Sequence, residues 1–155
     1  MLRGIWMEEV VVKDFLVSGL KVRTKNADEF DMKIAKIPAL WEKLCTPEVF
    51  DCLENKNKDF KTYGVYTNYS SNIDGEYDIL VGVDVESRNE NFDNIKIKGG
   101  KFLVFEKSGQ IPQIVIELWQ EVWEHFKTSQ TQRAYTNDFE RYISDDKVEL
   151  YIAIK

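Results

Sequence analysis

The sequence predicts an α+β fold built from a duplicated β-α-β-β unit, its antiparallel sheet carrying two packed helices about a pseudo-twofold axis. Two observations carry that expectation: the order of strand-like and helix-like segments repeats, and short motifs recur at matching places. The motifs are Phe-Leu-Val in the first strand of each unit (Phe15 to Val17, Phe102 to Val104), Leu-Trp in each helix (Leu40-Trp41, Leu118-Trp119) and Tyr-Thr-Asn after each helix (Tyr66 to Asn68, Tyr135 to Asn137). Units related by such an axis meet at a seam, and the seam is a natural cleft.

The first unit covers 8–88. Its opening strand runs from Glu9 to Thr24, and its helix covers Pro38 to Cys45, with Pro38 in the first turn where its missing N–H costs nothing. Lys61 to Tyr69 reads as a strand, Asn72-Ile-Asp-Gly75 as a turn. Tyr77 to Val85 then sets Ile79, Val81, Val83 and Val85 against Asp78, Leu80, Gly82 and Asp84, a strand alternation. After the polar loop from Arg88 to Asn94, the second unit covers 95–155. It comprises a strand from Ile95 to Lys107, a helix from Pro112 to Lys127, a strand from Ala134 to Ile143, a turn at Ser144-Asp-Asp146 and a strand from Val148 to Ile154. That makes roughly six strands and two helices in one domain spanning 1–155.

At about 100° per residue, Leu118, Val122, Val115, Phe126, Trp119, Trp123 and Ile116 of the second helix, with Ile111 and Ile114, fall on one continuous arc roughly 200° wide, well beyond the stripe a surface helix buries. Trp119, Trp123 and Ile116 lie on the flank that a sheet leaves uncovered. The other half of the protein, a subunit partner or a ligand are the three possible covers. Trp41 occupies the equivalent Leu-Trp of the first helix, so the two indoles are expected to face each other across the seam.

Composition narrows the partners. The 21 basic and 27 acidic residues leave a formal charge of −6, and the lysines alternate with acidic residues rather than forming a patch, which argues against nucleic acid. No apolar run approaches the ~20 residues of a membrane span, and Met1 to Met7 has no secretory h-region, so no membrane association and a cytoplasmic location are expected. Cys45 and Cys52 read as unbridged thiols. His125 is the one histidine, at the edge of the helix arc; no metal site and no cofactor are expected.

Aromatic residues and carboxylates interleave near the end of the chain. Asp138-Phe-Glu140-Arg-Tyr142 places Asp138, Glu140 and Tyr142 on one strand face. On the last strand Glu149, Tyr151 and Ala153 oppose Leu150, Ile152 and Ile154, and the latter read as the packed side. Tyr151 is therefore expected beside Glu140 and Tyr142. A carboxylate among such rings suits an organic cation, each ring face contributing ~0.5–2 kcal/mol. The alternative is that Glu140 is a solvated residue pairing with Arg141 or Lys147. The glycines form no phosphate cradle and no serine sits in an elbow context. The one enzymatic option left is acid/base work by a lone buried carboxylate: Glu140, Glu121 or Glu106.

Five segments, in order, carry a family resemblance: Tyr77-Asp-Ile-Leu-Val-Gly-Val83, Gly100-Lys-Phe-Leu-Val-Phe105, Leu118-Trp-Gln-Glu-Val-Trp123, Ala134-Tyr-Thr-Asn-Asp-Phe-Glu140 and Val148-Glu-Leu-Tyr-Ile-Ala-Ile154. With the duplicated layout, the chain from about Glu8 to Lys155 resembles the GyrI-like small-molecule-binding family, the bacterial effector-binding domain found alone or fused to AraC-type and MerR-type activators. Lys98-Gly-Gly100 stands where that family usually has a glycine-proline-like lead. The resemblance implies an aromatic cleft between the halves with a buried glutamate that neutralises lipophilic cationic drugs. Glu140 matches that acid and Tyr151 the tyrosine of the last strand. Trp41, Tyr66 and Trp119 follow as walls from the pseudo-symmetry, and Tyr142 and Trp123 from their places beside them. The resemblance thus implies a standalone domain for amphipathic, cationic ligands, in effector binding or drug sequestration, with a hydrolase or a gyrase-modulating protein partner as alternatives. With no room for a helix-turn-helix, direct DNA binding is not expected.

Overall fold

A computed structural model describes residues 6–71 and 74–155. The elements follow as β1 (Trp6–Val12), β2 (Phe15–Lys25), α1 (Asn26–Glu29), α2 (Ile37–Leu44), α3 (Pro47–Phe50), β3 (Thr62–Thr67), β4 (Glu76–Val85), β5 (Asp93–Ile97), β6 (Gly100–Ser108), α4 (Gln113–Thr128), β7 (Asn137–Ser144) and β8 (Lys147–Ala153). Of the expected turn at 72–75, Asn72 and Ile73 lie outside the described residues. No helix among the described residues is long and apolar enough to cross a membrane.

The class is α+β as expected, but each unit opens with two strands where one was expected. The first long strand breaks at Lys13-Asp14 and its counterpart at Lys98-Gly99, so the sheet has eight strands. The two breaks touch: the Gly99 amide donates to Asp14 Oδ1 at 2.7 Å. Their consequence is an exchange of strands. β1 pairs with β6, and β5 pairs with β2, each leading strand joining the other unit. All neighbours are antiparallel in the order β1-β6-β8-β7-β3-β4-β2-β5. Read outward from the β7–β3 seam, both sides show the same succession, which is the pseudo-twofold relation. The Tyr-Thr-Asn repeat does not mark equivalent positions. Tyr66 and Thr67 end β3, whereas Asn137 begins β7 and is Thr67's register partner.

Both faces of the sheet are buried, for different reasons. On one face α2 and α3 cover Ile79, Val81 and Val83 with Leu44 and Val49, while α4 covers Phe105, Leu150 and Ile152 with Ile114, Leu118 and Val122. The other face carries a cluster drawn from strands alone, including Val17, Val65, Leu80, Phe102, Phe139 and Tyr151, with Val10 and Val12 packed against it. A face buried without a helix means that the sheet curls over itself. This is why β4 is buried at nearly every position, not only at alternate ones. The curvature needs close approach at the Gly19–Gly82 pair, where a Cβ on either residue would run into the backbone of the facing strand.

Candidate ligand-binding site

The two helices sit over their own halves of the sheet and leave a gap above the β3–β7 seam. That gap is a cavity of about 890 Å³. Its floor comes from the strands (Thr62 and Tyr66 of β3, Glu140 and Tyr142 of β7) and its sides from Ile37, Pro38 and Trp41 of α2 and Val115, Ile116, Trp119 and Trp123 of α4. The wide apolar arc of α4 is thereby accounted for. Ile114, Leu118 and Val122 pack on the sheet, and the flank bearing Ile116, Trp119 and Trp123 faces the cavity. Phe30, 71% exposed, reaches over from the segment after α1 and meets the Trp123 ring edge-on at 6.0 Å.

The indoles do not face each other directly. Trp41 packs edge-on against Tyr142 at 5.1 Å, and Trp119 against Tyr66 at 4.9 Å. Each helix thus sends its tryptophan across the seam onto a tyrosine of the other half. Those two tyrosines converge on one group. The Tyr66 hydroxyl and Trp119 Nε1 donate to Glu140 Oε2 at 2.7 and 2.8 Å, and the Tyr142 hydroxyl donates to Oε1 at 2.7 Å.

Glu140 is 2% exposed, so the solvated alternative for this side chain does not hold. Its three donors are all neutral, and none of the ion pairs among the described residues includes it. Burial raises the carboxyl pKa above its ordinary value; the hydrogen bonds from Trp119, Tyr66 and Tyr142 pull the other way without cancelling it. Burial, then the neighbouring carboxylate, drives the Tyr66 and Tyr142 phenols well upward, so both remain donors. The chemistry on offer is a single negative centre in a box of ring faces, satisfied in hydrogen bonds but not in charge.

Gly64 makes room for that centre. It is the register partner of Glu140, and a Cβ there would lie 2.8 Å from Oε1 and 3.3 Å from Trp41 Cζ2. A glycine inside a strand signals close approach, which is the one cue in the sequence that points to it. Tyr69, Tyr77, Tyr135 and Arg133 also line the cavity without having been expected at the site. Glu29 lines it too, but its oxygens accept from the Thr24 hydroxyl and from the amides of Lys36 and Ile37, tying α1 to the start of α2.

Of the residues expected at the site, Glu140, Trp41, Tyr66, Trp119, Trp123 and Tyr142 are brought together, and Tyr151 is not. In the β7–β8 register Glu140 stands opposite Leu150, and Tyr151 opposite Phe139. Tyr151 therefore projects from the far face, stacked on Phe139 at 4.4 Å and 12°, with its hydroxyl donating to Glu149 Oε1 at 3.0 Å. Because side chains alternate, a one-residue difference in pairing sends the tyrosine to the other side of the sheet. Glu121 is not among the lining residues. Glu106 shares the far face and pairs with Lys147 at 3.1 Å. His125 packs against the rings of Phe105 and Phe126, away from the cavity.

Residues 10–154 match the family described as Cass2, the integron-associated effector binding proteins. This chain belongs to the Cass2 family. The integron cassette protein VCH_CASS2 from the mobile metagenome of Vibrio cholerae is 35% identical, with a TM-score of 0.84, over 99% of this chain and 100% of that one. YobU, a proposed transcriptional regulator of Bacillus subtilis (strain 168), is 32% identical over 148 residues, 89% of this chain and 91% of its own length. SAV2435, solved bound to tetraphenylphosphonium, shares the fold at a TM-score of 0.77 and 18% identity, over 97% of this chain and 94% of its own. Membership of Cass2 agrees with the GyrI-like effector-binding resemblance read from the sequence.

Proposed function

We propose that this Cass2-family domain binds lipophilic organic cations in the cavity above the seam, with Glu140 as the counter-charge and Trp41, Tyr66, Trp119, Trp123 and Tyr142 as the walls. One observation carries the reading: a buried carboxylate held by three neutral donors and paired with no cation among the described residues. Leaving a buried charge unpaired is costly, and a cation in the cavity would lift that cost. A cation whose charge is spread under apolar groups is itself cheap to desolvate. Its apolar surface would cover the rings, whose faces attract positive charge. The ligand would act as an effector, in keeping with the family description and with the regulatory name of YobU. The exposed, free thiols of Cys45 and Cys52 suit a reducing, cytoplasmic setting.

Calorimetric titration with tetraphenylphosphonium tests the reading. Binding by the wild type that weakens strongly in Glu140→Gln is the expected result. A wild type that binds neither this ion nor other lipophilic cations would overturn it.

A further inference from the structure

The cavity wall contains a cation of the protein's own. Arg133, between α4 and β7, lines the cavity and is buried. Its Nη2 donates to Asp138 Oδ2 at 2.7 Å, and its guanidinium lies over the Tyr135 ring at 4.3 Å and the Trp119 ring at 5.9 Å. Asp138 is fully buried. It accepts from the Ala153 amide at 2.8 Å and from the Tyr69 hydroxyl, and it is not among the lining residues. The ion pair therefore turns its positive side to the cavity. Trp119 serves both charges: its N–H points to Glu140 while its ring lies beneath Arg133.

We propose that Arg133 restricts this site to ligands with one positive centre, seated at Glu140, and that the part of the ligand reaching Arg133 is uncharged or accepts hydrogen bonds. The inference rests on the cation-binding reading of the cavity. A second cationic group near Arg133 would meet like charge where water is scarce, and like charges so placed are strongly disfavoured. The ring faces it would seek, those of Tyr135 and Trp119, are already beneath the guanidinium. Arg133 Nε is a sealed donor with no acceptor among the described residues, so the Asp138 bond leaves this guanidinium incompletely matched in hydrogen bonds. Nor do the other lining carboxylates offer a second seat. Glu29 is engaged by Thr24 and two backbone amides, and Asp145 is exposed, where salt screens it.

Two flat ions of nearly equal size separate charge from shape: N-methyl-4-phenylpyridinium, with one charge, and N,N′-dimethyl-4,4′-bipyridinium, with two. The quantity read is the ratio of their dissociation constants, measured by titration calorimetry at about 0.15 M salt. The wild type is expected to favour the monocation by about tenfold or more, although the net charge of −6 attracts the dication more strongly. Arg133→Met is expected to shrink or invert that ratio. The double variant Arg133→Met/Asp138→Asn removes both charges, leaves no unpaired Asp138, and supplies the same comparison should the single variant fail to fold. Equal binding of the two ions by the wild type, or an unchanged ratio in the variants, would sink the proposal while leaving the cation site standing. A wild type that binds neither ion, nor tetraphenylphosphonium, would remove the cation site itself and the inference with it.

Discussion

Gly64 and Glu140 are register partners at the centre of the β3–β7 seam, with Tyr66 two residues beyond one and Tyr142 two residues beyond the other. The pairing is symmetric about them: Tyr66 lies opposite Asp138, and Tyr142 opposite Thr62. A strict dyad would place the same residue at both central positions. Two carboxylates there would repel each other, and two glycines would leave no charge. Placing glycine in one half and glutamate in the other puts a single charge near the axis of an otherwise nearly symmetric aromatic box.

Gly64→Ala is a direct test of that arrangement. Alanine normally favours a strand over glycine by roughly 0.5–1 kcal/mol. Here its Cβ would press on Oε1 at 2.8 Å, an atom held in place by the Tyr142 hydroxyl. The expected net result is a loss of about 1–3 kcal/mol in denaturant stability, together with weaker cation binding. A variant more stable than the wild type, with unchanged affinity, would show that the carboxylate has room to move.

Glu140→Gln should separate function from stability. The amide keeps the shape and removes the charge, so binding of tetraphenylphosphonium is expected to weaken by about 2 kcal/mol or more in calorimetry. The ligand-free variant should melt no lower than the wild type, because a buried charge without a counter-ion has been taken away. A clear drop in melting temperature would mean that the carboxylate is structural.

The raised pKa of Glu140 gives both properties a pH dependence of known sign. The folded chain holds this proton more tightly than the unfolded one, so the group's stability contribution is complete below its ordinary value of 4.5 and is lost as pH rises through the folded value. In the proposed reading the cation pairs with the carboxylate, so affinity should rise over the same window, with a proton released on binding. Calorimetry in two buffers of different ionisation enthalpy reads that proton. Tyr142→Phe deletes the donor to Oε1 and should move the affinity midpoint to higher pH. A wild-type affinity that is flat across the window would contradict this.

Tyr151→Phe should leave cation affinity unchanged. Its hydroxyl bonds to Glu149 on the face remote from the cavity, so only a small stability change is expected. A marked loss of affinity in titration would show that the two faces of the sheet communicate.

Local pattern carried a good part of this molecule. Pro38 and Leu40-Trp41 marked α2, and periodicity marked α4 and the flank of it that a sheet would leave uncovered. The Leu-Trp repeat picked out the two indoles, and the alternation of Asp138, Glu140 and Tyr142 put the carboxylate and its tyrosine on one face. These features depend on residues a few positions apart, where backbone geometry alone sets which side chains share a face. Other features depended on pairing between distant segments. The exchange of β1 and β5, the far-face position of Tyr151, the space at Gly64 and the Arg133–Asp138 pair all follow from register and sheet curvature, which the packing of the whole chain decides. Shifting a pairing by one residue leaves every local pattern intact and moves each side chain to the opposite face, so only the folded sheet could settle them.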